Sequence, residues 1–218
     1  MRRFSAFVSL IAAVVLVASP VAKADRKPFV FDKAHSQINF VAEAMLITAH
    51  GFFERWDGDI QIDPGNLEDS TLRIEIETAS INTRVERRDN HLRSADFFDA
   101  QNHPKITFVS TKVKKVDDKN LLVTGEMTIR GKTKSLDVPV RIVFLREGDA
   151  RFKSEFQINR QDFGVSYNSR MNAIEDLVTI QLDFHLLDQQ VQQQRQQQRQ
   201  QQQPPPPPAP PQKPPQGN

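Results

Sequence analysis

Residues 178–186 read VTIQLDFHL, and the order of residue types in that stretch decides the fold class. Val178, Ile180, Leu182, Phe184 and Leu186 occupy every second position, separated by Thr179, Gln181, Asp183 and His185. Successive side chains of a strand point to opposite faces, so this segment has one dry face and one wet face. Residues 136–144, LDVPVRIVF, repeat the pattern, with Leu136, Val138, Val140, Ile142 and Phe144 set against Asp137, Pro139, Arg141 and Val143. Shorter rows are Leu72, Ile74 and Ile76; Ile38, Phe40 and Ala42; Trp56, Gly58, Ile60 and Ile62; and, less regularly, Phe152, Phe156 and Ile158. The five-membered rows span nine positions, roughly 30 Å at about 3.3 Å per residue, longer than an ordinary strand.

With PKITFVSTKV and NLLVTGEMTI added, about eight strands are expected, separated by turn signals such as Asp63-Pro64-Gly65-Asn66, Asp117-Asp118-Lys119-Asn120 and Glu147-Gly148-Asp149. Consecutive strands of this kind suit a closed barrel or a sandwich, and alternation alone does not separate the two. Strands this long can enclose an elongated cavity. An eight-stranded barrel is just wide enough inside to be filled by side chains or to hold one slim ligand.

The two ends differ from this middle. Residues 1–24 carry Arg2 and Arg3, an apolar run, and the small-x-small triplet Ala22-Lys23-Ala24, the three parts of a cleaved secretory signal. Residues 189–218 are glutamines broken by Arg195 and Arg199, then a block holding nine of the 14 prolines. That composition predicts a disordered Gln/Pro-rich tail, with polyproline II geometry in its second half. The folded domain is therefore expected over residues 25–188. Three basic residues lie in each end, which leaves 23 of the 29 Lys and Arg in the domain against all 27 acidic residues. The domain is mildly acidic, the overall isoelectric point near 8.9 is misleading, and no surplus basic face remains for nucleic acid. The tail's three cations suit weak contact with an anionic surface. With no cysteine in the chain, no disulfide can form.

The alternation breaks at residues 83–99, TRVERRDNHLRSADFFD. Thr83 and Glu86 have capping-box spacing and predict the start of a helix. Phe97 and Phe98 must bury against the sheet that resumes after Pro104. Arg88, His91 and Arg93, with Arg87, could face a phosphate or pyrophosphate head group through forked, charge-assisted hydrogen bonds. The same charges, with Glu86 and Asp89, suit surface pairs that tie the helix across a barrel end, the commoner use.

Catalytic signals are weak. Five histidines occur without HExxH or any repeated ligand spacing, so neither a metal nor another cofactor is expected. His185 falls on the wet side of its strand and should be solvated. No G-x-S-x-G elbow exists for serine hydrolysis.

Four strings in order, HSQINF at 35–40, RDNHLRSADFFD followed by PKITF at 88–108, GEMTIRGKT at 125–133 and NRQDFG at 159–164, make residues 29–187 resemble the YceI-like family of polyisoprenoid-binding proteins. The resemblance implies an all-β fold, an antiparallel eight-stranded lipocalin-like barrel with one short helical insertion, and an isoprenoid lipid in an apolar tunnel without catalysis. On that reading the lumen candidates are Phe40, Phe53, Trp56, Phe97, Phe98, Phe108, Val138, Val140, Ile142, Phe156, Phe163, Val178, Ile180, Leu182 and Phe184, while Asn159, Arg160, Asp162 and Gly164 lock a turn. Export to the periplasm follows from the signal, with secretion as the alternative. The competing functional class is a non-carrier envelope module with a filled barrel that acts through its tail.

Overall fold

The computed structural model describes residues 25–167 and 172–202; the expected signal at 1–24 and the proline block lie outside them. Eleven strand segments form one antiparallel sheet: β1 (Lys27–Phe31), β2 (Gln37–Ala44), β3 (Ile47–Phe53), β4 (Trp56–Ile62), β5 (Thr71–Glu77), β6 (Ile81–Asn82), β7 (Lys105–Lys115), β8 (Asn120–Ile129), β9 (Lys132–Arg146), β10 (Asp149–Asn159) and β11 (Ile174–Asp188). They amount to eight staves. Segments β1 and β2 both lie along β11, with Phe29 opposite Asp188 and Ile38 opposite Leu182. Next, β4 and β3 lie along β1 and β2, and β5 and β6 lie along β4 and β3. Three interrupted staves and five continuous ones thus follow one another up and down, and β11 closes the ring. Closure removes the exposed edges that an open sheet of this size would present.

The interruptions are stitched by side chains. Where residues 32–36 leave the β1–β2 stave, the Ser36 hydroxyl donates to the His185 carbonyl (3.2 Å) and accepts from the His185 N–H (2.9 Å), replacing ladder bonds. The apolar rows turn inward except at Phe144: the bulge at Val143 puts Phe144 opposite Arg151 and against the outward His185 ring, and Leu145 takes the inner place opposite Ala150. Toward one end of the barrel, Ile62, Ala150 and Leu186 are almost fully buried, and Leu67 on a short 3-10 turn packs over them. At the other end a second cluster gathers Phe97, Ile106, Ile129, Ile158, Phe163 and Val165 under helix α1 (Glu86–Arg93).

Two expectations are corrected here. Helix α1 begins three residues beyond Thr83, after Val85, which provides no side-chain cap, so Thr83 and Glu86 do not form a capping box. The cause is Arg84, whose φ of 62° turns the chain sharply between Thr83 and the helix. Instead buried Asp89 accepts from both the backbone N–H (2.8 Å) and the hydroxyl (2.5 Å) of Thr83. Replacing Asp89 by alanine should lower stability by about 1–3 kcal/mol, read as a shift of the urea midpoint at constant slope, because two buried donors lose their acceptor.

The second correction concerns the tail, whose residues 189–202 form helix α2 (Gln189–Gln202) instead of a disordered extension. Asp188 caps it, accepting from the N–H groups of Gln190 (2.8 Å) and Val191 (3.2 Å). Val191 seats against Gly148, where a Cβ would come within 2.8 Å of its side chain. The good helix propensity of glutamine is thereby joined to a cap and one apolar anchor.

Candidate functional site

Between the inward rows lies a cavity of about 220 Å³, bordered from Leu67, Leu72 and Val113 near one end to Phe97, Phe163 and Val165 at the other. Its wall is almost wholly carbon. Of the residues expected in the lumen, Phe40, Phe53, Phe97, Phe98, Phe108, Val138, Val140, Phe156, Phe163, Val178, Ile180, Leu182 and Phe184 border it. Trp56 and Ile142 do not. The Trp56 ring stands edge-on to Phe31 (5.1 Å) and close to Phe184 (5.3 Å), with the Lys33 ammonium 3.6 Å above it, so it fills the wall beside the break in the β1–β2 stave. Ile142 packs against the buried core without reaching the cavity, its N–H bonded to the Lys119 carbonyl at 2.7 Å. Of the adjacent pair Phe52 and Phe53, only Phe53 faces the cavity; Phe52 lies under the Arg84 guanidinium.

The end under α1 is locked by arginines. Arg130, in the β8–β9 turn at φ 49°, donates to the carbonyls of Phe97 (2.8 Å), Gly164 (3.0 Å) and Ala95 (2.8 Å). Three of the four strings that carry the sequence resemblance therefore meet through one side chain. Arg160, only 5% exposed, uses every donor it has: Nε on Glu175 O, Nη1 on Val165 O and Tyr167 O, and Nη2 on Ile174 O and Asp176 Oδ1, all at 2.8–3.0 Å. The expected turn at Asn159–Gly164 is present, with Asn159 capping Gln161 and Gly164 at φ 72°.

The head-group candidates are engaged elsewhere. Arg88 donates to the Thr83 hydroxyl (2.7 Å) and carbonyl (3.0 Å), and Arg93 to the carbonyls of Ala79 and Ile81 (both 2.8 Å). His91 meets Asp96 at 3.0 Å and stacks edge-on to Phe97 and Tyr167. None of the three borders the cavity. Their arrangement is that of a helix tied across a barrel end, the commoner of the two uses expected, with backbone carbonyls of residues 79–83 as acceptors more than acidic side chains.

His185 is also placed differently from the expectation. It points outward, but it is only about 21% exposed and lies between Asp32 (3.1 Å from Nδ1) and Asp149 (2.7 Å from Nε2). With a carboxylate on each ring nitrogen, the ring donates to both only as imidazolium. Asp32, His35 and His185 form the one metal-like grouping among the described residues, with ligand atoms within 4.8 Å of one another; each atom already has a hydrogen-bond partner.

Burial pushes the Asp32 carboxyl up, but hydrogen bonds from His35, His185 and the Ala34 N–H outweigh it and hold the group below its ordinary value. Asp149 is likewise lowered, with Arg146 and His185 outweighing burial. Carboxylates depressed in the folded state stabilise it above their unfolded value near 3.8, and that contribution disappears as pH falls through the folded values. The urea midpoint should therefore drop between about pH 5 and about pH 3, and less steeply in His185→Gln.

The family model for the YceI-like domain matches residues 29–186, the whole ring of staves. The chain belongs to the YceI-like family. Among its relatives, a UPF0312 protein of Pseudomonas savastanoi is 34% identical over 147 residues, 63% of this chain and 76% of that one. Protein YceI of Escherichia coli is 33% identical over 139 residues, 60% and 71% of the two chains. Of solved structures, Burkholderia cenocepacia BcnA superimposes with a TM-score of 0.67 at 25% identity, covering 71% of this chain and 98% of that chain. A polyisoprenoid-binding domain from Saccharophagus degradans gives a TM-score of 0.59 at 15% identity, over 73% and 98%, a likeness of fold. The YceI-like barrel is thus the frame in which the cavity sits.

Proposed function

We propose that this protein is an exported, non-catalytic lipid binder that takes a polyisoprenoid tail into its barrel. The observation that carries the reading is the continuous carbon-walled cavity of about 220 Å³ along the barrel axis. At about 10–15 Å³ per water-sized occupant, it has room for on the order of fifteen such groups, or about three five-carbon isoprene units. Hiding roughly 500 Å² of hydrocarbon at about 25 cal/mol per Å² yields about 12 kcal/mol before association costs, so burial suffices without catalysis or a metal. Support comes from family membership and from the structural neighbour described as polyisoprenoid binding. The basic, apolar and small-residue order of residues 1–24 supports export to the periplasm.

Native mass spectrometry of protein purified from its own host tests this. An added mass that organic extraction identifies as isoprenoid lipid is the expected result. A protein that carries none and takes up none when mixed with farnesol would defeat the proposal.

A further inference from the structure

The barrel wall contains a long unzipped seam. Strands β9 and β10 pair only from Arg146 opposite Asp149 to Arg141 opposite Lys153; residues 132–140 and 154–159 share no ladder pair. On their other sides the same residues are zipped, 132–141 of β9 to β8 and all of β10 to β11. The cause is local. Pro139 turns its carbonyl toward β10, where it accepts from the Ser154 hydroxyl at 2.5 Å, so the side of Pro139 facing the seam has no N–H to donate. A bulge between Arg151 and Phe152 shifts the register, and the ladder runs only two pairs beyond it, to Lys153 opposite Arg141.

This seam lies between two voids. Leu121, Val140, Ser154 and Leu182 border both the inner cavity and a groove on the outer face of the barrel. Meanwhile one barrel end is held shut by Arg130 and Arg160, and the other is packed by Ile62, Ala150 and Leu186.

We propose that the β9–β10 seam is the side mouth of the tunnel and that the groove outside it seats the ligand's polar end, an uncharged hydrogen-bonding group in preference to a diphosphate. The inference rests on the lipid-binding reading above. The rim supplies amides, Asn39, Asn120 and Gln181, and its charges balance. Asp183 engages both Lys153 (3.0 Å) and, beyond the rim, Arg151 (2.8 Å), Glu155 accepts from Gln181 at 3.0 Å, and Arg141 shares the rim with both carboxylates. A quinone, alcohol or amide finds partners there, whereas a diphosphate meets Glu155 and Asp183.

The test compares two lipids with the same fifteen-carbon tail, farnesol and farnesyl diphosphate, titrated by calorimetry into the full domain. Farnesol should bind about tenfold or more tightly, and Glu155→Lys should shift the ratio by about tenfold toward the diphosphate. Because the chain lacks cysteine, Glu155→Cys can be labelled with a bulky maleimide, which should slow farnesol uptake about tenfold or more; the same label at Glu126→Cys, on the outer face of β8, should not. Equal or better binding of the diphosphate, or equal uptake with either label, overturns the seam proposal while leaving the tunnel intact. Failure of both lipids to bind overturns the tunnel reading itself, and the seam proposal with it.

Discussion

Replacing Arg160 by leucine should lower the stability of the barrel by about 3–5 kcal/mol, the largest loss expected from any single substitution outside the apolar rows. Arg160 is buried, and its five donors hold four backbone carbonyls and Asp176. Removing it takes a donor from the buried Val165 carbonyl and the half-buried Tyr167 carbonyl, and each unsatisfied buried group costs about 1–3 kcal/mol, whereas the exposed Glu175 and Asp176 turn to water. The acceptors at residues 165–167 and 174–176 lie on two separate stretches of chain, one after the 3-10 turn that holds Phe163 and one at the start of β11, which the guanidinium ties together. Arg160→Lys should recover less than half of the loss, since an ammonium has three donors and no planar fork. The measurement is the urea midpoint at constant slope. A change below about 1 kcal/mol for leucine would mean that the two stretches hold their places without the guanidinium.

Substituting Ile180 by tryptophan should weaken farnesol binding by about a hundredfold or more, equivalent to about 2.7 kcal/mol, with a much smaller effect on stability. Ile180 lies on β11 between Phe40 and Phe156, and it borders the cavity midway along the strand. A larger ring there occupies space that the tail needs, yet it enters a void and not a filled core, so overpacking strain stays at the low end of the usual 1–3 kcal/mol range, near ~1. Thr179→Trp, one residue earlier on the outer face, is the control and should leave affinity unchanged. Calorimetric titration reads both. If Ile180→Trp binds as well as the parent chain, the tail does not occupy this cavity.

Much of the architecture is legible residue by residue. The alternation in 136–142 and 178–186 names the inner and outer faces of β9 and β11, because a strand's period of two admits only that assignment, whereas the bulge that turns Phe144 outward leaves no mark in the pattern. The same rows identify most of the cavity wall. Leu92 and Leu67 border the cavity without belonging to any alternating row, so no pattern marks them. Trp56 belongs to a row yet is diverted into the wall, since the break at residues 32–36 leaves a gap that only a large ring fills. Pro139 reads as an outward residue in sequence; that its missing N–H opens the barrel depends on which neighbour its backbone faces.

The chain by itself determined that strands with one dry face follow one another, that a charged helix interrupts them, and that the apolar side chains would share an interior, because these depend on local period and residue type. The tertiary structure decided that the strands close into a ring of eight staves, that a void remains along its axis, and that Arg130 and Arg160 clamp one end. Each of these is set by pairings between residues from 7 to 159 positions apart, and the periodicity of a single strand holds no information about the partner that it will meet.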